Sequence, residues 1–403
     1  MTSPSKIIIG HGHNRALTLK KVAFPKLYAE LDRAHDHLGP RSVKHDQVAI
    51  LPDNKPYPHA QAHVLIYNGQ VSVYSLLVHL IGMLTQYQLY VVDEKIGACN
   101  RARTLSGLAN LYRAIVALPD PRMIPNVEFV IDVEDTPQGN APDDRIVWAW
   151  TRPKDNEKTW LMPDFDGWAF PDPDLGSYTS FRDRLRFFEK PFAEKDPRAV
   201  WRGNSHVNDI RKSLLETTSK RPWADVLDTN AHPEHRIHMA DFCSYKFPIH
   251  TEGNSWSGRL RYLQNCNSAT IIHDLHWMAH YYPLLEPNGP EQNYIRVDRD
   301  WSDLEAEVNF YTAHPREAER IAANSAATFR DRYLTPAAEA CYWRRMIRRW
   351  AEVQAFEPVL YVEERDAAGK VFHRQRGLDW EVFAHPDPNF RVELPGSKQG
   401  SNE

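Results

Sequence analysis

From Arg198 onward the chain alternates short β-rich runs with helical patterns, and this alternation constrains the fold more than any other feature. The β-rich runs fall at 199–202, 244–250, 268–273 and 294–297. Helical patterns follow at 208–219 and 258–264. Pro315 and Pro336 suit the first helical position and open helices over 316–333 and 337–355. Ser302-Asp-Leu-Glu305 has the spacing of a capping box at the start of another. Strands that alternate with helices pair in parallel and build a doubly wound sheet. The N-terminal half carries helix-like segments at 26–37 and 105–118 and a β run at 126–133. The stretch 135–197 is rich in Pro, Asp and Trp and reads as long loops. Two α/β halves facing a cleft are therefore expected, with a disordered tail after Phe383.

Charge and cysteine content narrow the function classes. Lys and Arg total 49 against 53 acidic residues, a net charge of −4, so no excess of positive charge is present to hold a nucleic-acid backbone. The four cysteines (Cys99, Cys243, Cys266, Cys341) include no Cys-x-x-Cys pair, which argues against a zinc ribbon or a disulfide-rich scaffold. Near the N-terminus the apolar run Ile7 to Ile9 is too short for a signal-peptide core, which makes the cytoplasm the simplest address. Between Val64 and Val92 only His79 titrates near neutral pH, over a length that could span a bilayer. Asn68, Gln70, Ser72, Ser75, Gln86 and Gln88 are costly in hydrocarbon, so a buried strand or helix is expected there instead.

The densest chemical signal is SYKFPIHTEGNSWSGRLRYL, residues 244–263. A strand ending at His250 passes through Gly253, Asn254, Ser255, Trp256, Ser257 and Gly258 into a helix that starts at Arg259. Such a junction is an anion cradle, because free backbone N–H groups and the helix dipole face one point. Arg259 in the first turn opposes that dipole, and a bound phosphate accounts for it. An ordinary βα loop with a solvated arginine is the alternative. Trp201-Arg202-Gly203-Asn204-Ser205, with Arg211 beyond, is a second cationic group after a strand. Taken alone it reads as a surface loop, but two such loops at neighbouring strand ends suggest a diphosphate site at the carboxyl edge of a sheet. The third element, NVEFVIDVEDTP (126–137), ends a strand in Asp132, Glu134 and Asp135. A carboxylate there can act as a general base, or simply cap a helix or face water.

Other signals carry less. His11 and His13 in GHGHN, the Asp-x-Asp triplets at 164–166, 172–174 and 298–300, and His273, His276 and His280 could all be metal ligands. Acidic triplets arise often in loops, and packing is the plainer role for each histidine. Trp168 and Trp256 suit either stacking on a sugar or base or filling a core.

In these motifs the chain resembles glycosyltransferase family ninety, which holds the protein O-glucosyltransferases and the fungal capsule-associated proteins. The resemblance runs in order through NVEFVIDVEDTP, WLMPDFDGWAFP, WRGNS with Arg211, DFCSYKFPIHTEGNSWSGRLRYLQNCNS, EPNGPEQNYIRV and WSDLEAEV, over roughly 95–355. It implies a GT-B fold, meaning two Rossmann-like domains facing a cleft, closed by C-terminal helices. The corresponding divisions are an acceptor-side domain at 1–195, a nucleotide-sugar domain at 196–355 and a partly disordered extension at 356–403. The resemblance further implies inverting transfer from a UDP-sugar, glucose or xylose, to a hydroxyl of a protein or glycan, with no metal and no cofactor. Asp135 matches the base. The loop of Gly253, Asn254, Ser255, Trp256, Ser257 and Gly258, with Arg259, matches the UDP-holding motif. Arg202, Gly203, Asn204, Ser205 and Arg211 match the group beside the diphosphate. Cys243 and Cys266 match a family disulfide, which implies an oxidising lumen of the secretory pathway, Golgi or ER.

Three departures stand out. The luminal O-glucosyltransferases resemble this chain at the Asp135 motif but carry arginine just before the aspartate. Here Glu134 stands there, an extra anion expected to raise the base's pKa or alter acceptor choice. No signal or membrane anchor of the family is visible. The uncharged stretch interrupts a family-like passage, and removing 71–88 would join IYNGQ to LYVVDEK as one continuous hairpin. That segment reads as an insertion or a retained short intron. Two competing functions remain: a sugar- or nucleotide-binding member without catalysis, and a metal-dependent hydrolase built on the histidines.

Overall fold

A computed structural model of the chain describes residues 24–50, 60–67, 88–96, 98–118, 124–137, 144–170 and 175–385. His11, His13, Asp172, Asp174 and the interior of the 71–88 segment lie outside the described residues.

After helix α1 (Ala29–Leu38), the first half builds β1 (Ala60–Tyr67), β2 (Gln88–Ile96), helix α2 (Ala98–Val116), β3 (Val127–Asp132), β4 (Val147–Ala149), β5 (Arg152–Pro153) and β6 (Trp160–Leu161). Leu378–Asp379, late in the chain, pairs with β2 and completes a six-stranded sheet in which the order runs on through β1, β3, β4 and β6. β1 is antiparallel to β2 and β3, whereas β3, β4 and β6 run parallel, so this sheet is mixed. The expected loop region 135–197 thus contributes two strands of this sheet and helix α3 (Tyr178–Phe188), capped by Ser177. Strands of three and two residues are too short to show an alternating pattern.

The second half is regular. β7 (Asp196–Gly203), helix α4 (Asp209–Thr218), β8 (Ala224–Asp228), β9 (Tyr245–His250), helix α5 (Arg259–Leu263), β10 (Ile271–His273), β11 (Trp277–Met278) and β12 (Ile295–Val297) follow in turn. β12, β10, β9, β7 and β8 lie in that order in one parallel sheet. From β7 the chain steps outward to β8 and then returns to the other side as β9. That reversal makes the β7/β9 boundary a topological switch point, where loops at the carboxyl ends part and leave a crevice. β11 pairs with β5 and ties the two halves together.

Helices α6 (Leu304–Ala313), α7 (Pro315–Ser325) and α8 (Pro336–Val353) close the structure. The capping box expected at Ser302 does not form: α6 begins after Asp303 with no side-chain cap, and Glu305 accepts from the Trp223 indole instead. α8 returns to the first half, where Trp350 meets Trp148 and Trp160 edge-on at 5.5 and 5.2 Å. Trp148 stacks on Phe129 at 3.6 Å, so these indoles form the centre of the first core. The domain expected at 196–355 therefore lends its last helix to the other half. Part of the extension after 355 is ordered as the antiparallel hairpin Tyr361–Arg365/Val371–Gln375. No helix among the described residues is long and apolar enough to cross a membrane.

Candidate active site

The crevice at the switch point opens into a cavity of about 650 Å³, of the size that takes a small-molecule ligand. Its walls include Arg211 from α4, Gly253 to Gly258 after β9, Arg259 from α5 and, from the first half, Arg103, Asp135 and Asp166.

Arg211 is placed by its helix start. Asn208 Oδ1 caps α4 by accepting from the Arg211 N–H at 3.0 Å. The guanidinium then donates through Nε to Thr251 Oγ1 at 3.1 Å and the Glu252 carbonyl at 2.9 Å, and through Nη1 to the Asn204 carbonyl at 3.2 Å. None of these acceptors is a carboxylate. Arg259 lies close by, over the Phe242 ring, with its Nε buried and unpartnered. Burial pushes both guanidiniums down to about 10, and for Arg259 the charge of Arg211 adds to the effect. Two adjacent cations without a carboxylate leave charge uncompensated, where buried charge is ordinarily paired. α5 has only five residues, so these arginines, more than a helix dipole, carry the positive potential.

Opposite them, Asp135 Oδ1 accepts from Arg103 Nη1 at 2.9 Å, and Oδ2 accepts from Asn254 Nδ2 at 3.3 Å. Asn254 thereby links the loop after β9 to the carboxylate. Glu134 points elsewhere, accepting from Asn100 Nδ2 at 3.1 Å. Burial first, then the charges of Asp132 and Asp135, push the Glu134 carboxyl above its ordinary range. On the cavity floor Asp166 accepts from the Tyr262 hydroxyl at 2.9 Å, and burial beside Asp164 pushes its carboxyl up to about 7. A Cβ at Gly258 would stand 2.1 Å from Asp166 Oδ2, so only glycine lets the loop lie on this floor.

The model of the glycosyl transferase family 90 matches residues 69–378, well over half of the chain. The chain belongs to glycosyltransferase family 90. Curated relatives include protein O-glucosyltransferase 1 of Rattus norvegicus, 26% identical over 260 residues that cover 58% of this chain and 64% of the relative. The O-glucosyltransferase rumi homolog of Aedes aegypti is 23% identical, with 68% of this chain and 72% of the relative covered. O-glucosyltransferase rumi of Drosophila melanogaster is 24% identical, at 60% and 64%. The chain thus spans about 64% of the length of several curated family 90 relatives.

Within this family 90 structure, Asp135, Arg211, Gly253, Asn254, Trp256, Ser257, Gly258 and Arg259 come together at the cavity. Ser255 is buried in the same loop with its hydroxyl unpartnered. Arg202, Gly203, Asn204 and Ser205 are not among the cavity walls. Arg202 instead donates to Asp225 Oδ1 at 2.7 Å and to the carbonyls of Trp201 and His235, each at 3.0 Å, bracing β7 against β8. A Cβ at Gly203 would meet the Trp201 ring at 2.6 Å. Asn204 accepts from the His206 N–H, and Ser205 bonds Asp228. Cys243 and Cys266 are joined, with Cα atoms 4.9 Å apart. The bridge spans β9, the loop of Gly253 to Gly258 and α5, which gives that segment a covalent frame.

Sequence reasoning passed over Arg103, Asp166, Arg236 and His238, all cavity residues. Asp166 was visible as half of an Asp-x-Asp triplet, but its partner Asp164 is buried against Arg261, with Nε–Oδ1 at 3.0 Å. For Arg103, on a helix more than thirty positions before Asp135, no local signal existed. His273 Nε2 accepts from the Glu252 N–H, and His280 packs edge-on against Tyr281 and Tyr342. Among the described residues, His273, His276 and His280 do not form a metal-ligating group.

Proposed function

We propose that this family 90 protein, on a GT-B frame, transfers glucose or xylose from its UDP conjugate to a hydroxyl of a protein or glycan acceptor, with inversion. The observation that carries the reading is one cavity with the Asp135 carboxylate on one side and two uncompensated arginines on the other. The named relatives, O-glucosyltransferases, support the sugar and the reaction class. In this reading Arg211 and Arg259 hold the diphosphate, and the loop's small residues let it approach the backbone. Asp135 takes the proton of the acceptor hydroxyl as its oxygen bonds to the anomeric carbon. The bond from that carbon to the phosphate oxygen breaks on the opposite face, and UDP leaves with the electron pair. Fixed arginines offset the growing negative charge without reorganising, so the chemistry requires no metal. The Cys243–Cys266 bridge supports residence in an oxidising lumen.

A second reading, donor binding without transfer, is favoured by one feature. Both Asp135 oxygens are already engaged, by Arg103 and Asn254, and must be freed or shared for a hydroxyl to be deprotonated. Asp135→Asn separates the two. The transfer reading predicts that radiolabelled sugar transfer falls about a hundredfold or more while UDP affinity holds. Wild-type protein that binds UDP-sugar yet transfers to no hydroxyl, water included, would establish the binding-only reading.

A further inference from the structure

Between β8 and the cavity wall the chain makes a single 3-10 turn, Pro233–His235. Here His232, Glu234 and His235 each bring one ligand atom to within 4.8 Å of the others. The His232 and His235 rings face each other across the turn with centroids 5.3 Å apart, as i and i+3 residues do on a three-residue winding. Glu234 Oε1 already accepts from or shares a proton with His232 Nδ1 at 3.2 Å, so two of the three donors converge without an ion.

Two imidazoles and one carboxylate form the donor set of a zinc-type site with a position left open. That set favours a borderline transition metal over Mg²⁺ or Ca²⁺, which take oxygen. The turn is also held in place. Arg202 Nε donates to the His235 carbonyl at 3.0 Å, and Arg202 is itself clamped to Asp225 Oδ1 at 2.7 Å. All three side chains are exposed, so a metal can reach them and water can complete its coordination. The next four residues, Arg236, Ile237, His238 and Met239, line the cavity.

We propose that this turn binds one divalent transition metal, Zn²⁺ in the first instance, and so fastens the 236–239 wall of the cavity. The metal stands outside the transfer reaction and supplies no step of it. Calorimetric titration of the EDTA-stripped, desalted full chain with ZnCl2 tests the binding, independently of any sugar chemistry. Wild type takes up one equivalent, and so does His11→Ala/His13→Ala. Uptake weakens about tenfold or more in His235→Ala and disappears in His232→Ala/His235→Ala. MgCl2 gives no such uptake. Hydrogen exchange tests the coupling: ZnCl2 slows the amides of 236–239 in wild type and leaves the double variant unchanged. The proposal is overturned if zinc uptake persists in His232→Ala/His235→Ala, if it tracks His11 and His13, or if zinc leaves the 236–239 amides unprotected.

Discussion

Arg211 and Arg259 set the character of the site, because each guanidinium is desolvated and neither meets a carboxylate. The free protein holds their charge at a cost, and in the proposed reading a bound diphosphate removes it. Arg259→Met, which keeps much of the volume, is therefore expected to raise the melting midpoint of the free protein by about 2 °C. A lower midpoint in differential scanning fluorimetry would mean that the guanidinium supports the fold instead. Asp166 makes a second residue-scale prediction. An unfolded aspartate titrates near 3.9, whereas here burial and Asp164 push the carboxyl up to about 7. Between those values the folded chain holds the extra proton, so this group's contribution to stability falls as pH rises and its cost is complete above about pH 7. Asp166→Asn keeps an acceptor for Tyr262 and removes the titration. Its melting midpoint should exceed that of wild type at about pH 8 and converge on it near pH 4. An equal difference at both would show that the carboxyl does not titrate in this window. Glu134, the anion beside Asp135, is itself raised, first by burial and then by the charges of Asp132 and Asp135.

At the scale of elements, the sheet states how the 71–88 segment relates to the fold. β1 and β2 are antiparallel with Tyr67 opposite Gln88, and the register continues from Ile66 with Leu89 toward Ala60 with Ile96. In a chain lacking 71–88, Gln70 takes the place of Gln88 before Leu89, and Asn68-Gly69 becomes a two-residue turn. Asn-Gly is the favoured pair for such a hairpin. The deletion variant is expected to fold with a melting midpoint within about 2 °C of wild type, because the β1/β2 register is kept. A variant that expresses unfolded would make the segment part of the core. β7, β9, β10 and β12 were legible because strand, polar loop and helix recur with clear punctuation. The mixed character of the first sheet was not, since β4 and β6 are too short to pattern. The loop of Gly253 to Gly258 stands out in the sequence because glycine, serine and a lone arginine lie together, and in the structure it lines the cavity. Arg202 misled because an arginine at a strand end looks the same whether it faces a ligand or, as here, Asp225.

For the whole molecule, the two halves are joined where the cleft needs them fixed. Arg261, fully buried, pairs with Asp164 through Nε at 3.0 Å and with Glu339 of α8 through Nη1 at 2.5 Å. The helix that carries Arg259 is thereby anchored to the half that carries Asp135. Breaking such a buried group leaves charge unpaired and costs about 3–5 kcal/mol, so the cleft geometry is coupled to overall stability. Long-range placement of this kind cannot be read from local pattern, because Asp164, Arg261 and Glu339 are far apart in sequence and meet only in the folded chain. In the proposed reading one site at the switch point of the second sheet receives a nucleotide diphosphate. The most direct measurement is calorimetric titration of UDP, with EDTA present, into wild type, Arg259→Ala and Arg211→Ala. Wild type is expected to bind without metal, and each alanine variant to stay folded and lose most of the affinity. Folded wild type that fails to bind UDP, or binding that survives in both variants, would contradict it.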